Sequence, residues 1–242
     1  MTTIIILNPM GTDVTPFVTG APLVPQLLKG TIRKPGDTVV TIPYTNQPGR
    51  QNVADGVEML HAAILNAISN GATDILVFGY SEGCQIADWW LWKYGQSTPV
   101  DPALIRFWLI ANANRKYGGF VCGHPIFDAV GYTNGKPANT PYRVIDFTRQ
   151  YDGVSDFPTA QPIQNALVGL QSVGSDQNAL SGAMNAVAAV LADTVHKTAA
   201  LNAISGLVLI HNIYLYVTLD DPNNVSLTEG NITWVWSPTY PA

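Results

Sequence analysis

The sequence predicts an α/β fold in which helices flank a central, mainly parallel sheet. Over the first 150 residues, short apolar runs alternate with longer segments of helical periodicity, a pattern typical of parallel sheets covered by helices. Each run is almost continuously apolar, as expected for strands that are buried on both faces. The chain has 242 residues, of which 47% are hydrophobic and 12% are charged. A single large domain spanning 1–242 with a well-packed core is therefore expected.

The positions of the elements follow from these patterns. The apolar runs of strand length cover residues 4–7, 38–42, 74–78, 105–110 and 143–147. Between the second and third runs, apolar residues recur at helical spacing from Val53 to Ile68, and Gly71 follows where glycine commonly ends a helix. Apolar stripes over 161–206 predict a helical insertion, which either caps a candidate active site or packs against the core. The Trp-rich segment 233–238 has strand-like composition and is expected to pair at a sheet edge.

Charge and hydropathy exclude two classes of partner. The net charge is −5 and the chain contains no run of lysines and arginines, so it lacks the basic surface that binding to nucleic-acid phosphates requires. No apolar stretch reaches the roughly 18 residues that a transmembrane helix needs. The first residues contain no basic segment and no cleavage site of a signal peptide. The sequence therefore predicts a soluble protein without a signal peptide, a transmembrane segment or a nucleic-acid partner.

The most specific functional feature is a serine between two glycines. The predicted strand 74–78 is followed by Gly79-Tyr80-Ser81-Glu82-Gly83, which fits Gly-x-Ser-x-Gly, and then by a helical pattern. In this strand-turn-helix context the serine adopts a strained conformation on a sharp turn. The residues two before and two after the serine must be small so that neighbouring backbone segments can pass closely, and both are glycines here. The sequence therefore predicts the nucleophile elbow of an α/β-hydrolase, with Ser81 as the nucleophile.

A serine hydroxyl is a weak nucleophile at neutral pH, so it needs a base and an acid that orients this base. In α/β-hydrolases the order along the chain is Ser, acid, His, and His124 precedes every acid candidate at a strand end. His196 lies on the polar side of a predicted helix, where a solvated surface histidine is the ordinary explanation. His211 instead interrupts an apolar stretch, where an unpaired imidazole would be costly. We predict His211 as the base, with His196 as the alternative.

The orienting acid is expected in the loop that leaves strand 143–147. Asp152 lies in this loop and is followed by a glycine, whereas Asp146 lies within the strand itself. Asp156 lies further along the same loop and is the second candidate. An aspartate that caps a loop is the structural alternative for either residue.

The oxyanion of the reaction requires backbone or side-chain donors near the nucleophile. The amide of Glu82, directly after Ser81, is the first candidate. The turn 8–13, which follows the first strand, offers Thr12 with both its amide and its hydroxyl. This turn also fits an ordinary connection between two elements.

These segments resemble, in order, those of the lysin B enzymes of mycobacteriophages and, more distantly, those of the cutinases and of the hydrolase-type PE-PPE domains of mycobacteria. The turn with Thr12 is similar to the oxyanion loop of that family, and 79–83 is similar to its elbow. Segment 110–120 is similar to its Gly-Asn-Pro-x-Arg segment. Segment 143–152 resembles the strand and loop with the catalytic aspartate, and His211 with Tyr214 resembles its His-x-x-Tyr region. The resemblance implies a cutinase-like α/β-hydrolase fold and favours Asp152 and His211.

The chain departs from the pattern of that family in the elbow and after the fourth strand. Glu82 stands where the elbow commonly has Gln, and its charge would slow acylation if the side chain faced the pocket. Ala113 replaces the proline of the Gly-Asn-Pro-x-Arg segment, and the remaining Asn112 and Arg115 are interpreted as parts of a structural turn. The tryptophans after the elbow are interpreted as core residues (Trp89, Trp90 and Trp92).

The resemblance implies a serine esterase that hydrolyses lipid-type esters, namely the ester between mycolic acids and arabinogalactan in the mycobacterial cell wall. It further implies a phage-encoded protein that acts on the host envelope as a lysis enzyme or as a virion component. No cofactor and no metal is expected. Two alternatives remain: a generic cutinase-like or lipase-like esterase, and a virion structural or adhesion protein that keeps the hydrolase fold without turnover.

Overall fold

A computed structural model describes residues 1–9, 27–45, 50–97, 100–119, 139–150, 152, 154–156, 214 and 217–238 of the chain. The strands within these residues are β1 (Thr3–Leu7), β2 (Thr38–Thr41), β3 (Ile75–Tyr80), β4 (Ile105–Ile110), β5 (Arg143–Arg149), β6 (Val225–Glu229) and β7 (Ile232–Ser237). The α-helices are α1 (Arg50–Ser69) and α2 (Glu82–Lys93), and two short 3₁₀ helices cover Leu27–Gly30 and Pro102–Leu104. The predicted helical insertion 161–206 lies outside the described residues.

The strands form one sheet in the order β2-β1-β3-β4-β5-β7-β6. Every neighbouring pair is parallel except β6 and β7, which are antiparallel. This mainly parallel sheet with its flanking helices confirms the predicted fold class, an α/β-hydrolase. Among the described residues, no helix is both long enough and apolar enough to cross a membrane.

The five predicted strands are all present, and two of them extend further at their carboxyl ends than predicted. β3 continues to Tyr80 and β5 continues to Arg149, so β3 ends directly before Ser81 and β5 ends close to Asp152. Gly71 follows α1 with a φ of 84°, which fits a glycine that ends a helix. The carboxyl ends of β3 and β5 therefore carry the predicted nucleophile and the predicted acid to the same edge of the sheet.

Side chains alternate between two core layers on the two faces of the sheet, as the pleat requires. One layer joins α1 and α2 to the odd-numbered positions of β1 and β3, for example Ile5 and Val77. The other layer joins the even-numbered positions, such as Ile6 and Phe78, to the segment around Leu28 and to Tyr214. Both faces of the sheet are thus buried, which explains why the strands are almost continuously apolar.

The prediction that segment 233–238 pairs at a sheet edge is wrong. β7 lies inside the sheet, parallel to β5 on one side and antiparallel to β6 on the other. β6 takes the edge, and its side chains are mostly exposed. Its sequence, VSLTE, lacks a continuous apolar run because only one side of this strand packs on the protein.

The interpretation of all three elbow tryptophans as core residues is also wrong. Trp90 is fully buried, but Trp92 is 54% exposed and Trp89 is half-buried. Successive helical residues differ by about 100° in direction, so Trp89 and Trp92, three positions apart, lie on one side of α2 and Trp90 points away from both. Arg50 lies over the ring of Trp89, with its guanidinium carbon 5.9 Å from the ring centroid.

A fully buried ion pair lies beneath the carboxyl edge of the sheet. The Nη1 of Arg115 donates to Oδ1 of Asp146 in β5 at 2.9 Å, and both side chains are completely inaccessible. Asn112 donates its amide to the other oxygen of Asp146 at 2.9 Å. The guanidinium also stacks on Trp236, with 4.3 Å between its carbon and the ring centroid. The structural interpretation of Asn112 and Arg115 agrees with these contacts, which join the β4 turn to β5 and β7.

Removal of one partner of this buried pair should strongly destabilise the fold. Asp146→Asn leaves the Arg115 charge buried without its counter-ion, and we expect the free energy of unfolding to fall by about 3–5 kcal/mol in urea titrations. The control is Lys116→Gln, which removes the neighbouring but exposed ion pair between Lys116 and Glu229. That variant should unfold at the wild-type urea concentration, because exposed pairs contribute little. Equal effects of the two variants would contradict this account.

Candidate active site

Ser81 lies on a sharp turn between β3 and α2. Its backbone has φ 53° and ψ −113°, a left-handed conformation that is unfavourable for a residue with a Cβ. The turn is held by the amide of Ser81, which donates to the carbonyl of Ile110 in β4 at 3.0 Å, and by the amide of Cys84, which donates to the carbonyl of Ser81 at 2.9 Å. The side chain is partly exposed. A strained serine at the end of a buried strand has the geometry expected for a nucleophile elbow.

The two glycines of the elbow are required by close backbone contacts. A Cβ on Gly83 would lie 2.2 Å from the carbonyl oxygen of Leu7, at the end of β1. A Cβ on Gly79 would lie 3.0 Å from the carbonyl oxygen of Gly83. The first contact is impossible for any larger residue without a backbone shift, and the second is very tight. The steric argument made from Gly-x-Ser-x-Gly therefore holds in this structure.

Asp152 lies fully buried in the loop after β5. Its Oδ1 accepts hydrogen bonds from the amides of Val154 at 2.8 Å and Ser155 at 3.4 Å. Its Oδ2 accepts a hydrogen bond from the hydroxyl of Tyr214. Asp156 is half-buried, and its amide donates to the carbonyl of Asp152 at 2.7 Å. Of the two acid candidates, Asp152 has the geometry of an oriented buried carboxylate, whereas Asp156 lies at the rim of the same turn.

Tyr214 connects the end of β5 to the Asp152 loop. Its hydroxyl accepts a hydrogen bond from the amide of Arg149 at 3.1 Å and lies 3.4 Å from Oγ of Ser155. Ser155 in turn lies 2.5 Å from the hydroxyl of Thr148. Burial, followed by the charge of Asp152, raises the pKa of Tyr214 well above its ordinary value. Tyr214 therefore remains protonated at any pH at which esterases act.

The side chain of Glu82 is buried against α1 beside the nucleophile. It is only 4% exposed, and its Oε1 accepts a hydrogen bond from the amide of Asn52 at 3.2 Å. The side-chain oxygen of Asn52, Oδ1, accepts hydrogen bonds from the backbone amide and the hydroxyl of Thr45. Asn52 therefore presents its side-chain NH₂ group to Glu82. Burial raises the pKa of Glu82 from 4.5 to about 7, although the hydrogen bond from Asn52 acts to lower it. Burial therefore extends the pH range in which this carboxyl is neutral toward neutral pH.

The structure brings Ser81, Glu82 and Asp152 to one edge of the sheet, and the other predicted site residues lie outside the described residues. Thr12, His196 and His211 belong to this second group. The predicted oxyanion turn begins at Asn8, which is buried at the end of β1 and whose backbone carbonyl accepts a hydrogen bond from the hydroxyl of Tyr44.

Sequence reasoning missed the polar partners of both carboxyl groups. Asn52 and Thr45 were not predicted, and Tyr214 was noted only as part of the His-x-x-Tyr resemblance. One signal was available for Tyr214, since a tyrosine in an apolar stretch needs a partner for its hydroxyl. Asn52 lies in the first turn of a long helix and has no comparable signal, because asparagine near a helix start is ordinary.

Comparison with known proteins connects the chain to one family. A model of the PE-PPE domain matches residues 25–198. Esterase PE16 of Mycobacterium tuberculosis (strain ATCC 25618 / H37Rv) is 33% identical over 143 residues, which cover 53% of this chain and 26% of that protein. The PPE family protein PPE28 of the same strain is 29% identical over 184 residues, 72% of this chain and 28% of that protein. The chain thus spans about a quarter of the length of these two relatives.

Among solved structures, the chain is similar to a cutinase-like protein from Cryptococcus sp. The sequence identity is 20% and the TM-score is 0.47, and the alignment covers 85% of this chain and 96% of that chain.

Replacement of Glu82 by glutamine should change how stability depends on pH. Because the pKa of Glu82 is higher in the folded protein, the folded state binds more protons than the unfolded state between about pH 4.5 and 7. The wild type therefore loses stability as the pH rises through this window, and above it the full cost of the buried charge remains. Glu82→Gln removes this loss. The difference between the free energies of unfolding of Glu82→Gln and of the wild type should therefore change with pH. It should shift in favour of the variant by on the order of 3 kcal/mol between pH 5 and pH 8.

Glu58→Gln is the matched control for this measurement. Glu58 is largely exposed, and its hydrogen bond with Lys93 lowers its pKa, so its removal should produce no gain between pH 5 and pH 8. Parallel stability curves for wild type and Glu82→Gln, recorded by urea unfolding, would refute the proposed protonation of Glu82.

Proposed function

The chain belongs to the PE-PPE domain family, and we propose that it is a serine esterase that hydrolyses lipid-type esters with Ser81, Asp152 and His211. The observation that carries the proposal is the strained turn of Ser81, with φ 53°, between a buried strand and a helix. A residue whose backbone is held in an unfavourable conformation by its surroundings is characteristic of a functional site. The name of Esterase PE16 supports the same type of reaction.

The proposed reaction is a two-step acyl transfer. His211, oriented by Asp152, takes the proton of the Ser81 hydroxyl as Oγ attacks the ester carbonyl carbon. The tetrahedral intermediate collapses, the bond between the carbonyl carbon and the alcohol oxygen breaks, and the alcohol leaves with the proton from the imidazole. Water then gives a proton to His211 and attacks the carbonyl carbon of the acyl-enzyme. The bond between this carbon and Oγ of Ser81 breaks, Oγ takes the proton back from His211, and the carboxylic acid leaves.

Strand order supports this assignment of nucleophile and acid. Only β4 separates β3, which ends at Ser81, from β5, whose end leads to Asp152. Neighbouring strands are about 4.8 Å apart, so the two strand ends are separated by roughly 10 Å. An imidazole that forms a hydrogen bond from each of its nitrogens can bridge such a gap between a serine hydroxyl and a carboxylate.

The position of Tyr214 supports His211 as the base. Tyr214 lies three positions after His211 in the chain, so their Cα atoms cannot be more than about 11 Å apart. Because the hydroxyl of Tyr214 donates to Asp152, the short chain between the two residues allows His211 to reach the acid, which supports it as the base. No such restraint applies to His196.

The start of α2 supports the proposed oxyanion site. Glu82 is the first residue of this helix, so its amide lies at the positive end of the helix dipole next to Ser81. Thr12 is proposed as the second donor. The carboxyl of Glu82 is turned to Asn52, and its neutral form, which burial favours, adds no negative charge where the oxyanion develops.

The narrower part of the proposal concerns the substrate. The resemblance to lysin B enzymes supports the ester between mycolic acids and arabinogalactan as the bond that is cleaved, and with it a protein that acts on the mycobacterial envelope. A cutinase-like esterase of broad specificity is the competing hypothesis. The two differ in whether the protein releases mycolic acids from purified cell-wall material.

Ser81→Ala should abolish hydrolysis without unfolding the protein. We expect kcat/KM for p-nitrophenyl esters from butyrate to palmitate to fall by about a thousandfold or more, because no nucleophile remains. Ser69→Ala is the control, since Ser69 is an exposed serine at the end of α1 whose hydroxyl donates to the carbonyl of Asn66. A serine-directed fluorophosphonate should label the wild type and Ser69→Ala, but not Ser81→Ala.

The same variants test the substrate hypothesis. Release of mycolic acids from cell walls by wild type but not by Ser81→Ala would support the narrower proposal, and activity on p-nitrophenyl esters alone would favour the broad esterase. If the folded wild type neither hydrolyses any ester nor reacts with the fluorophosphonate, the esterase proposal is wrong and a structural or adhesion role replaces it.

A further inference from the structure

The ring and the backbone of Tyr214 are held in place by several contacts. The residue is fully buried, and its ring makes edge contacts with Tyr80 and Phe147, with ring centroids 5.9 and 6.0 Å apart. Its carbonyl accepts a hydrogen bond from the amide of Leu28 at 2.9 Å. The ring is therefore wedged between the strand that ends at the nucleophile and the strand that leads to the acid.

The hydrogen-bond pattern determines where the phenolic proton of Tyr214 points. A tyrosine hydroxyl has one proton to donate. The amide of Arg149 can only donate, so it occupies an acceptor site of the phenolic oxygen at 3.1 Å. The carboxylate of Asp152 can only accept when it is ionised, and Tyr214 donates to its Oδ2. The proton is thus directed at Asp152, and the tyrosine retains it because burial and the nearby charge raise its pKa.

The groups around Asp152 act in the same direction. The amides of Val154 and Ser155 donate to its Oδ1, and donated hydrogen bonds favour the ionised form of a carboxyl group. Tyr80, on β3, is a further ionisable neighbour, and burial and the charge of Asp152 raise its pKa, so it too stays neutral. The other residues of this turn with ionisable side chains are Arg149, at the end of β5, and Asp156, at the rim.

We propose that Tyr214 is a positioning residue of the esterase, which holds the carboxylate of Asp152 in the orientation that the catalytic histidine requires. The inference rests on the proposed function. In this role Tyr214 touches neither the substrate nor Ser81. It acts through Asp152, by restricting the rotation of the carboxylate and by stabilising its negative charge, so that the imidazolium formed during the reaction faces a fixed counter-charge.

Tyr214→Phe removes the hydroxyl while it keeps the ring. We expect kcat for p-nitrophenyl butyrate to fall by about tenfold or more with little change in KM, because a charge-assisted hydrogen bond is lost from the triad and not from the substrate site. The acidic limb of the kcat/KM profile reports protonation of the catalytic histidine. It should move up by about one pH unit, because the carboxylate loses a donor, its charge is less compensated, and it favours the imidazolium more strongly.

Tyr142→Phe is the matched control. Tyr142 is equally buried, and its hydroxyl donates to the carbonyl of Val100 at 3.1 Å, outside the site. Its loss of stability measures the cost of removing a buried tyrosine hydroxyl, while its kcat and its pH profile should remain those of the wild type. A purely structural role of Tyr214 would make the two variants behave alike.

Incorporation of difluorotyrosine at position 214 provides a second test if the phenylalanine variant does not fold. Fluorination makes the hydroxyl a stronger donor without removing it, so the acidic limb should move to lower pH, opposite to the effect of Tyr214→Phe. An unchanged kcat and pH profile in either folded protein would overturn the role of Tyr214 while the esterase proposal stands, provided that Ser81→Ala is inactive. An inactive and unlabelled wild type would overturn both.

Discussion

The contact between Gly83 and the end of β1 is the constraint on which the candidate active site depends. The first turn of α2 approaches the carbonyl of Leu7 so closely that no side chain fits between them. Because of this approach, the helix starts directly at the edge of the sheet. Ser81 is then the single residue between β3 and α2, and it alone reverses the direction of the chain. The serine adopts its left-handed backbone for this reason. The packing of the sheet core therefore maintains the strain at Ser81. The free energy that this packing contributes to folding is far larger than the local cost of the strain, about 1–3 kcal/mol.

Glu82, Asp146 and Asp152, three of the buried acidic residues near this edge, are stabilised in different ways, and the differences match their locations. Asp146 lies within β5 and is neutralised by Arg115. Asp152 lies at the strand end and is surrounded by hydrogen-bond donors that carry no charge, two amides and a tyrosine. An acid of this kind keeps its negative charge available for a neighbouring imidazole. Within the described part of the chain, Glu82 accepts from one donor, and burial favours its neutral form.

The fold and the elbow could be predicted because their signals are local. Continuous apolar runs mark strands that are buried on both faces, and Gly-x-Ser-x-Gly contains its own steric argument. The edge strand β6 gave no comparable signal, because its mostly exposed residues form no apolar run. The polar partners of Glu82 and Asp152 could not be predicted for another reason. Asn52 and Glu82 are separated by 30 positions, and Tyr214 and Asp152 by 62 positions, and neither composition nor periodicity connects residues over such distances.

Thr45 gives position 82 an unusual tolerance. Thr45 donates two hydrogen bonds to the side-chain oxygen of Asn52, so the side-chain NH₂ group of Asn52 faces α2. This NH₂ group requires only an acceptor at position 82. A glutamine and a glutamate offer the same oxygen in the same place, and their codons differ by a single base. Evolution can therefore exchange a permanently neutral elbow for one that carries an ionisable group, with no compensating change in the surrounding packing.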